Sequence, residues 1–327
     1  MIKRKLGSQG LEVPAIGLGC MGMSVEYGEL DEDKSIDTIQ YAIEIGLNLL
    51  VTSDMYGNGR NETLISSAIG NSRMEILLST KFGNIINSDG SRGINGRPDY
   101  VRQACEKSLQ RLKTDYIDIY SQHRVDPSVP IEETVGEMAR LVEEGKVLYI
   151  GLSEAASETI RRANNEFPIS CVETEYSLWS RDVETDILPT CRELGISLVP
   201  YSPLGRGFLT GTIKSSDDLS EKDRRRDHPR FFEENIQKNK AKVEVIEILA
   251  SKNGLKPAQI ALAWVLSQHD QIVPIPGTKH RKFLDENIRA IDIILTEEQK
   301  KELDNAFPLG ETSGLRYPSS QMNKLGL

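Results

Sequence analysis

Residues 48–64 read NLLVTSDMYGNGRNETL. A short apolar run, NLLVTS (48–53), passes directly into a glycine-bearing turn that carries Asp54, Tyr56, Arg60 and Glu62. The same arrangement recurs along the chain. Further candidate strands are AIGLGC (15–20), ILLSTK (76–81), YIDIYSQH (116–123), VLYIGLS (147–153), CVETEY (171–176), ISLVPYS (196–202) and IVPIP (272–276). Helical periodicity fills 33–46, 98–113, 131–145, 184–195, 239–254 and 257–268. Gly46, Gly70, Gly145, Gly195 and Gly254 stand where helices end on a left-handed cap. Eight strands joined by crossover helices predict a parallel sheet, and eight repeats fit a closed (β/α)8 TIM barrel better than an open one. KRKLGSQGLEVP predicts an N-terminal β-hairpin, and PLGETSGLRYPSSQMNKLGL a loop-like C-terminal tail. One barrel domain over 1–327 is expected.

Gly17-Leu-Gly19-Cys-Met-Gly22 matches G-x-G-x-x-G. A dinucleotide fingerprint needs a helix to start at once after the turn. Here MSVEYGELDED intervenes and helical periodicity resumes only near Lys34. The glycines fit better as a barrel strand ending where a ligand can approach the backbone.

The 327 residues carry a formal net charge of −9, which argues against nucleic acid as a main partner. Cys20, Cys105, Cys171 and Cys191 have no C-x-x-C spacing, suggesting free thiols in a reducing compartment. MIKRKLGSQGLEVP lacks an apolar signal core, and no run approaches a membrane span. A cytoplasmic location is expected, with a small-molecule partner and neither nucleic acid nor membrane. His228, His269 and His280 show no ligand spacing, so no metal is expected. The arginine run 224–226 in the loop GFLTGTIKSSDDLSEKDRRRDHPRF is expected to be mobile and solvated.

Unusual polar residues gather at the carboxyl ends of the strands, the face on which barrels build active sites. Tyr56 follows strand two, Lys81 ends strand three, and His123 ends strand four. Ser153 and Glu154 end strand five, Glu173 lies in strand six, and Tyr201 and Ser202 end strand seven. Gly277, Thr278 and Lys279 follow strand eight. Singly, such a tyrosine is a rim residue, such a lysine a solvated one, and such a histidine part of a surface loop. Seven strands obeying one rule point to a site.

The segments MYGNGRNE, STKFG, QHRVD, GKVLYIGLSEA, EYSLWSRD, YSPLGRGFLTG, HPRFFEENIQKN and PIPGTKHRKFLDEN resemble the aldo-keto reductases over nearly the whole chain. The resemblance implies an oxidoreductase that reduces aldehydes and ketones with NADPH, without metal or flavin. Carbonyl reduction needs a hydride donor and a general acid. Tyrosine is a poor acid near neutral pH unless its pKa is lowered, and a neighbouring ammonium does that. Tyr56, Lys81 and His123 take the roles of acid, ammonium and orienting group.

In the family pattern D-T-A-D-x-Y a carboxylate stands five residues before the tyrosine. Here that position is Val51, while the second aspartate is kept as Asp54. Without the counter-ion, a buried Lys81 should have a depressed pKa. Asp54 or Glu62 could stand in. Weakened catalysis is expected. An NADPH-binding sensor or pseudoenzyme with little turnover is the alternative, and cofactor binding without turnover would distinguish it.

The resemblance assigns Gly19, Cys20, Ser153 and Glu173 to the cofactor, Glu173 standing where glutamine is usual for the nicotinamide carboxamide. Tyr201 would stack on the nicotinamide, and Ser202, Leu204, Gly205 and Arg206 follow the pyrophosphate. Gly277, Thr278, Lys279 and Lys282 at a helix start suit a 2′-phosphate and favour NADPH over NADH. Glu286 and Asn287 would contact adenine. Met21, Tyr27, Phe82 and Trp179 are candidates for an apolar substrate wall.

Overall fold

Parallel strands lie side by side in chain order in a computed structural model that describes every residue except Glu26, Gly28, Glu29 and Ser88. They are Leu18–Gly19, Leu49–Val51, Leu77–Phe82, Ile117–Gln122, Val147–Ser153, Cys171–Glu175 and Ser197–Tyr201. Each runs close to its expected place, trimmed at the ends. The eighth, 272–276, is a strand without a regular ladder, because Pro274 and Pro276 have no N–H to donate. It closes the ring all the same. Val273 and Ile275 donate to the carbonyls of Leu198 and Pro200 at 2.9 and 3.0 Å. On the other side the carbonyls of Pro274 and Pro276 accept from Gly17 and Gly19 at 3.0 and 3.3 Å. The result is the expected (β/α)8 barrel.

The strand period of two sorts side chains onto two cores. Leu49, Val51, Ile119, Cys171, Val199, Val273 and Ile275 pack inside the barrel. Leu50, Leu78, Tyr120, Ile150, Leu152, Val172 and Leu198 face outward under the helices. The expected hairpin forms from Lys3–Leu6 and Leu11–Pro14, and its Leu6, Leu11 and Val13 join the inner core. Arg4 ties it down by donating to the carbonyls of Leu266, His269 and Ile272.

Helices Glu32–Glu44, Pro98–Leu112, Ile131–Glu143, Ile187–Leu194 and Pro257–Ser267 match the expected ones within a few residues. The five expected glycine caps all have positive φ. Helix Arg60–Ile69 ends on Gly70, an expected cap, though its span was not read, and a second, Ser157–Glu166, was not foreseen. The second buries only Thr159, Ile160 and Ala163, too few apolar residues for a visible stripe. The helix expected from 239 starts at Glu233, and a short hairpin pairs Asn84–Ile86 with Arg92–Ile94.

Gly151 leaves space inside the barrel. A Cβ there would lie 2.6 Å from Ser121 Oγ and 2.9 Å from Cys171 Sγ, with the Cys171 carbonyl oxygen at 3.0 Å. Gly151→Ala should therefore destabilise by ~1–3 kcal/mol through overpacking. Denaturant unfolding would show a lower midpoint at unchanged slope.

Candidate active site

The turn after the second strand is wound through Gly57, Asn58 and Gly59, with φ of 58°, 54° and 86°. Three successive left-handed residues require glycine or asparagine in this way. The turn holds Tyr56, whose N–H donates to the Ser53 carbonyl at 3.2 Å, beside the barrel mouth. Lys81, on the third strand, is completely buried. Its Nζ lies 5.5 Å from the centroid of the Tyr56 ring. His123 follows the fourth strand and meets Tyr56 edge to face, with ring centroids 5.8 Å apart. His123 Nδ1 and Ser53 Oγ are 3.1 Å apart. Three residues from separate strand ends thus converge as the sequence led us to expect.

The counter-ion of Lys81 comes from across the barrel. Both carboxylate oxygens of Glu173 lie 2.9 Å from Nζ. Glu62 is engaged elsewhere: it accepts from Thr80 Oγ1 at 2.7 Å and pairs with Arg111 at 2.6 Å. Asp54 accepts from Ser53 Oγ at 3.3 Å. Neither takes the place beside Lys81 for which the sequence offered them. The expected depression of Lys81 is also reversed. Burial opposes its charge, but the Glu173 carboxylate and the Tyr56 phenol outweigh that and raise its pKa. Lys81 is an ammonium.

Burial pushes Tyr56 up to about 12. The ammonium of Lys81 and the guanidinium of Arg124 pull it down, while Glu173 opposes them. The lowering expected from Lys81 is present but does not prevail. Burial, then Arg124 and Lys81, hold His123 well below its ordinary value, so its ring is neutral. Burial and the neighbouring Glu62 raise Asp54 to about 7.

A second polar layer closes the mouth. Tyr201 donates to Glu154 at 2.8 Å, and its hydroxyl lies 2.9 Å from that of Tyr317. Arg316 pairs with Glu154 at 3.1 Å. Arg124 donates to Ser153 Oγ at 3.2 Å. Arg206 pairs with Glu175 at 3.0 Å, donates to the Tyr27 hydroxyl at 3.4 Å and stacks over Tyr317 at 4.6 Å. Arg230 also reaches Glu175, at 3.4 Å. Arg124, Glu175, Arg230, Arg316 and Tyr317 were not singled out in the sequence. Glu175 could have been found, since CVETE sets two carboxylates inside an apolar strand. The tail residues carry no such signal.

Several assignments need correction. Phe82 is fully buried and stacks on Tyr120 at 4.7 Å on the outer side of the sheet, so it lines no substrate wall. Trp179 is buried between Phe208, at 4.2 Å, and the edge-on Phe231. A Cβ on Gly205 would strike it, so Trp179 supports the 204–208 loop from below. Cys20 turns its thiol toward the Leu18 carbonyl in the outer core. Arg225 is held by Asp223 at 2.7 Å and donates to the Arg206 carbonyl, and Arg226 donates to the Leu219 carbonyl. The arginine run is tied down rather than solvated.

Met21 and Tyr27 remain partly exposed beside the mouth. Lys279 donates to the Tyr27 carbonyl at 3.0 Å. Ser202 and Arg206 take positive φ in the turn that carries Leu204 and Gly205. Gly277 is exposed, and Thr278 Oγ1 accepts from the His280 N–H at 3.1 Å. Helix Arg281–Ile288 has no side-chain cap at its start, where Lys282 is exposed. Its Glu286 carbonyl accepts from Gln259, and Asn287 is buried. An open helix start, two lysines and an adjoining bare glycine fit a phosphorylated dinucleotide. Among the described residues no group of three or more His, Cys, Asp or Glu could hold a metal ion, and no helix is long and apolar enough to cross a membrane.

A profile of the aldo/keto reductase family matches residues 15–307. The chain belongs to the aldo/keto reductase family. A probable aldo-keto reductase 1 from Glycine max is 50% identical over 324 residues, covering 96% of this chain and 91% of that one. Among solved structures, a glycerol dehydrogenase from Gluconobacter oxydans superposes with a TM-score of 0.86 at 25% identity, covering 96% of this chain and 97% of that one. An aldo/keto reductase from Klebsiella pneumoniae, solved with NADP and acetate, gives 0.74 at 26% identity, with 97% and 99% covered. Membership makes the chain an NADP-dependent oxidoreductase.

The raised Asp54 of this reductase has a consequence for stability. Between its ordinary value and about 7, the folded state binds a proton that the unfolded state releases. The stability it contributes at low pH is lost as pH rises through about 7. Asp54→Asn should then stabilise the fold on the order of 2 kcal/mol at about pH 8, a figure discounted for partial exposure, and very little at about pH 4. Thermal melts of both proteins at the two pH values measure the difference.

Proposed function

We propose that the enzyme reduces aldehydes and ketones to alcohols, with Tyr56 as the proton donor. The observation that carries this is the convergence of Tyr56, Lys81 and His123 from three strand ends onto one side of the barrel mouth. When bound, NADPH would be the hydride source for the carbonyl carbon. The Tyr56 hydroxyl gives its proton to the carbonyl oxygen as negative charge builds there, and solvent restores it. The Lys81 ammonium steadies the phenolate left behind. His123 is neutral, and in the tautomer whose Nδ1 accepts from the Ser53 hydroxyl, 3.1 Å away, its Nε2–H donates to the carbonyl oxygen.

Lys279, Lys282 and Thr278 at the open helix start would hold the 2′-phosphate, and the turn of Ser202, Leu204, Gly205 and Arg206 the pyrophosphate. The NADP bound by the Klebsiella relative supports that choice of cofactor. Arg206 must then exchange part of its contact with Glu175 and Tyr27 for the phosphates. Met21 and Tyr27 would line the substrate entrance. The expectation of a site weakened by Val51 loses its premise once Lys81 has a carboxylate partner.

Loss of NADPH absorbance with aromatic and short aliphatic aldehydes tests this function. Tyr56→Phe should lower kcat/KM on the order of 10²–10⁴-fold while NADPH still quenches tryptophan fluorescence. Binding without turnover in the parent protein would instead make the chain a cofactor-binding sensor. Separately, replacing Lys279 and Lys282 by alanine should weaken NADPH about tenfold and leave NADH binding unchanged.

A further inference from the structure

Val51 and Glu173 are two departures from the family pattern, on different strands and 122 positions apart in sequence. In space they face the same lumen. Val51 is buried in the inner core with Leu49, Ile119, Cys171, Val199, Val273 and Ile275. Glu173 is buried two residues beyond Cys171 on the same face of its strand and takes the Lys81 ammonium on both oxygens. The reach across the barrel is open because the intervening strands present small groups. Ser121 pairs in register with Lys81, Gly151 pairs with Ser121, and Cys171 pairs with Gly151.

We propose that Glu173 is the positioning residue for Lys81, and that Val51 and Glu173 form one coupled exchange in which the counter-ion has moved from the second strand to the sixth. The charge requirement explains why the two go together. Valine at 51 with a neutral side chain at 173 would strand an ammonium among aliphatic groups. Aspartate at 51 with Glu173 would set two carboxylates against one ammonium. Either single change is unfavourable, whereas the pair of changes conserves charge. The other titratable or charged groups facing Lys81 are Tyr56 and His123 from the mouth, Arg124 beside them, and the thiols of Cys20 and Cys171. None of these is a carboxylate, so among the described residues Glu173 is the carboxylate that balances it.

This inference rests on the reductase function proposed above, and the test separates the two. Four proteins are compared: the parent, Glu173→Gln, Val51→Asp, and the double variant Val51→Asp/Glu173→Gln. Glu173→Gln should lose on the order of 10–100-fold in kcat at saturating NADPH. Lys81 then loses its proton more easily, so the alkaline limb of kcat/KM for reduction should move to lower pH. The double variant should recover both rate and limb to within about threefold of the parent, because aspartate returns the charge from the second strand. Val51→Asp alone should bring no gain in rate. A double variant no better than Glu173→Gln, while folded and binding NADPH, overturns the proposal, as does a Glu173→Gln protein equal to the parent. If Glu173→Gln does not fold, recovery of folded, active protein in the double variant supports the exchange and failure to recover it overturns it. If the parent reduces no carbonyl compound, the reductase function falls. The pair is then decided by the melting temperatures of Lys81→Met, Glu173→Gln and their combination. Non-additive losses support the pairing, and additive losses overturn it.

Discussion

An ammonium with no exposure to water, set in a barrel lined by aliphatic side chains, is the constraint around which this molecule is arranged. Leaving such a charge without a partner costs on the order of 3–5 kcal/mol, a large fraction of what holds a fold together. The carboxylate must come from some strand facing the lumen. In this chain it crosses from the sixth strand to the third, which demands clear space between them. Gly151 and Ser121 leave that space, and Val51 is then free to be an ordinary core residue. The inner core, the bare glycine and the unusual glutamate are consequences of one electrostatic need.

The mouth is built on the same principle at larger scale. Two buried carboxylates, Glu154 and Glu175, gather the arginines of distant loops: Arg316 on the first, Arg206 and Arg230 on the second. Burial works against ionising these carboxyls, and the surrounding guanidinium groups win. Glu175 is held at about 2 and Glu154 below its ordinary value. Arg316 thus fastens the C-terminal tail to Glu154 by charge, and Tyr317 is brought against Tyr201. The polar side chains at the mouth are thus already engaged with one another.

Much of this was legible because the strand rule is strong. Tyr56, Lys81 and His123 were singled out from their place at strand ends and do lie together, and the barrel was read from eight apolar runs with glycine-capped helices between them. The eighth strand was found despite its prolines, which break the ladder but keep the extended path. Residues whose roles depend on facing were harder. Phe82 follows Lys81 by one position, and the period of two turns it to the opposite side of the sheet. Trp179 sits in a loop whose packing partners, Phe208 and Phe231, lie far along the chain. The partner of Lys81 was misjudged for a related reason. Glu173 was seen as a departure at a cofactor position, but only three-dimensional closure shows that it faces the lysine 92 positions away. The tail network could not be foreseen, since Arg316 and Tyr317 sit among turn-forming residues with no periodicity.

The four cysteines complete the picture of a chain that hides its reactive groups. Each is a buried free thiol pushed up to about 12, chiefly by burial. At neutral pH the thiolate fraction of such a group is on the order of 10⁻⁵. Alkylating and oxidising reagents that require a thiolate therefore have almost nothing to attack while the barrel is closed. Cys171 lies inside the barrel, and Cys20, Cys105 and Cys191 lie between strands and helices. Capture of these sulfurs by a thiol reagent consequently keeps time with the opening of the two cores, one clock for the lumen and three for the helical shell.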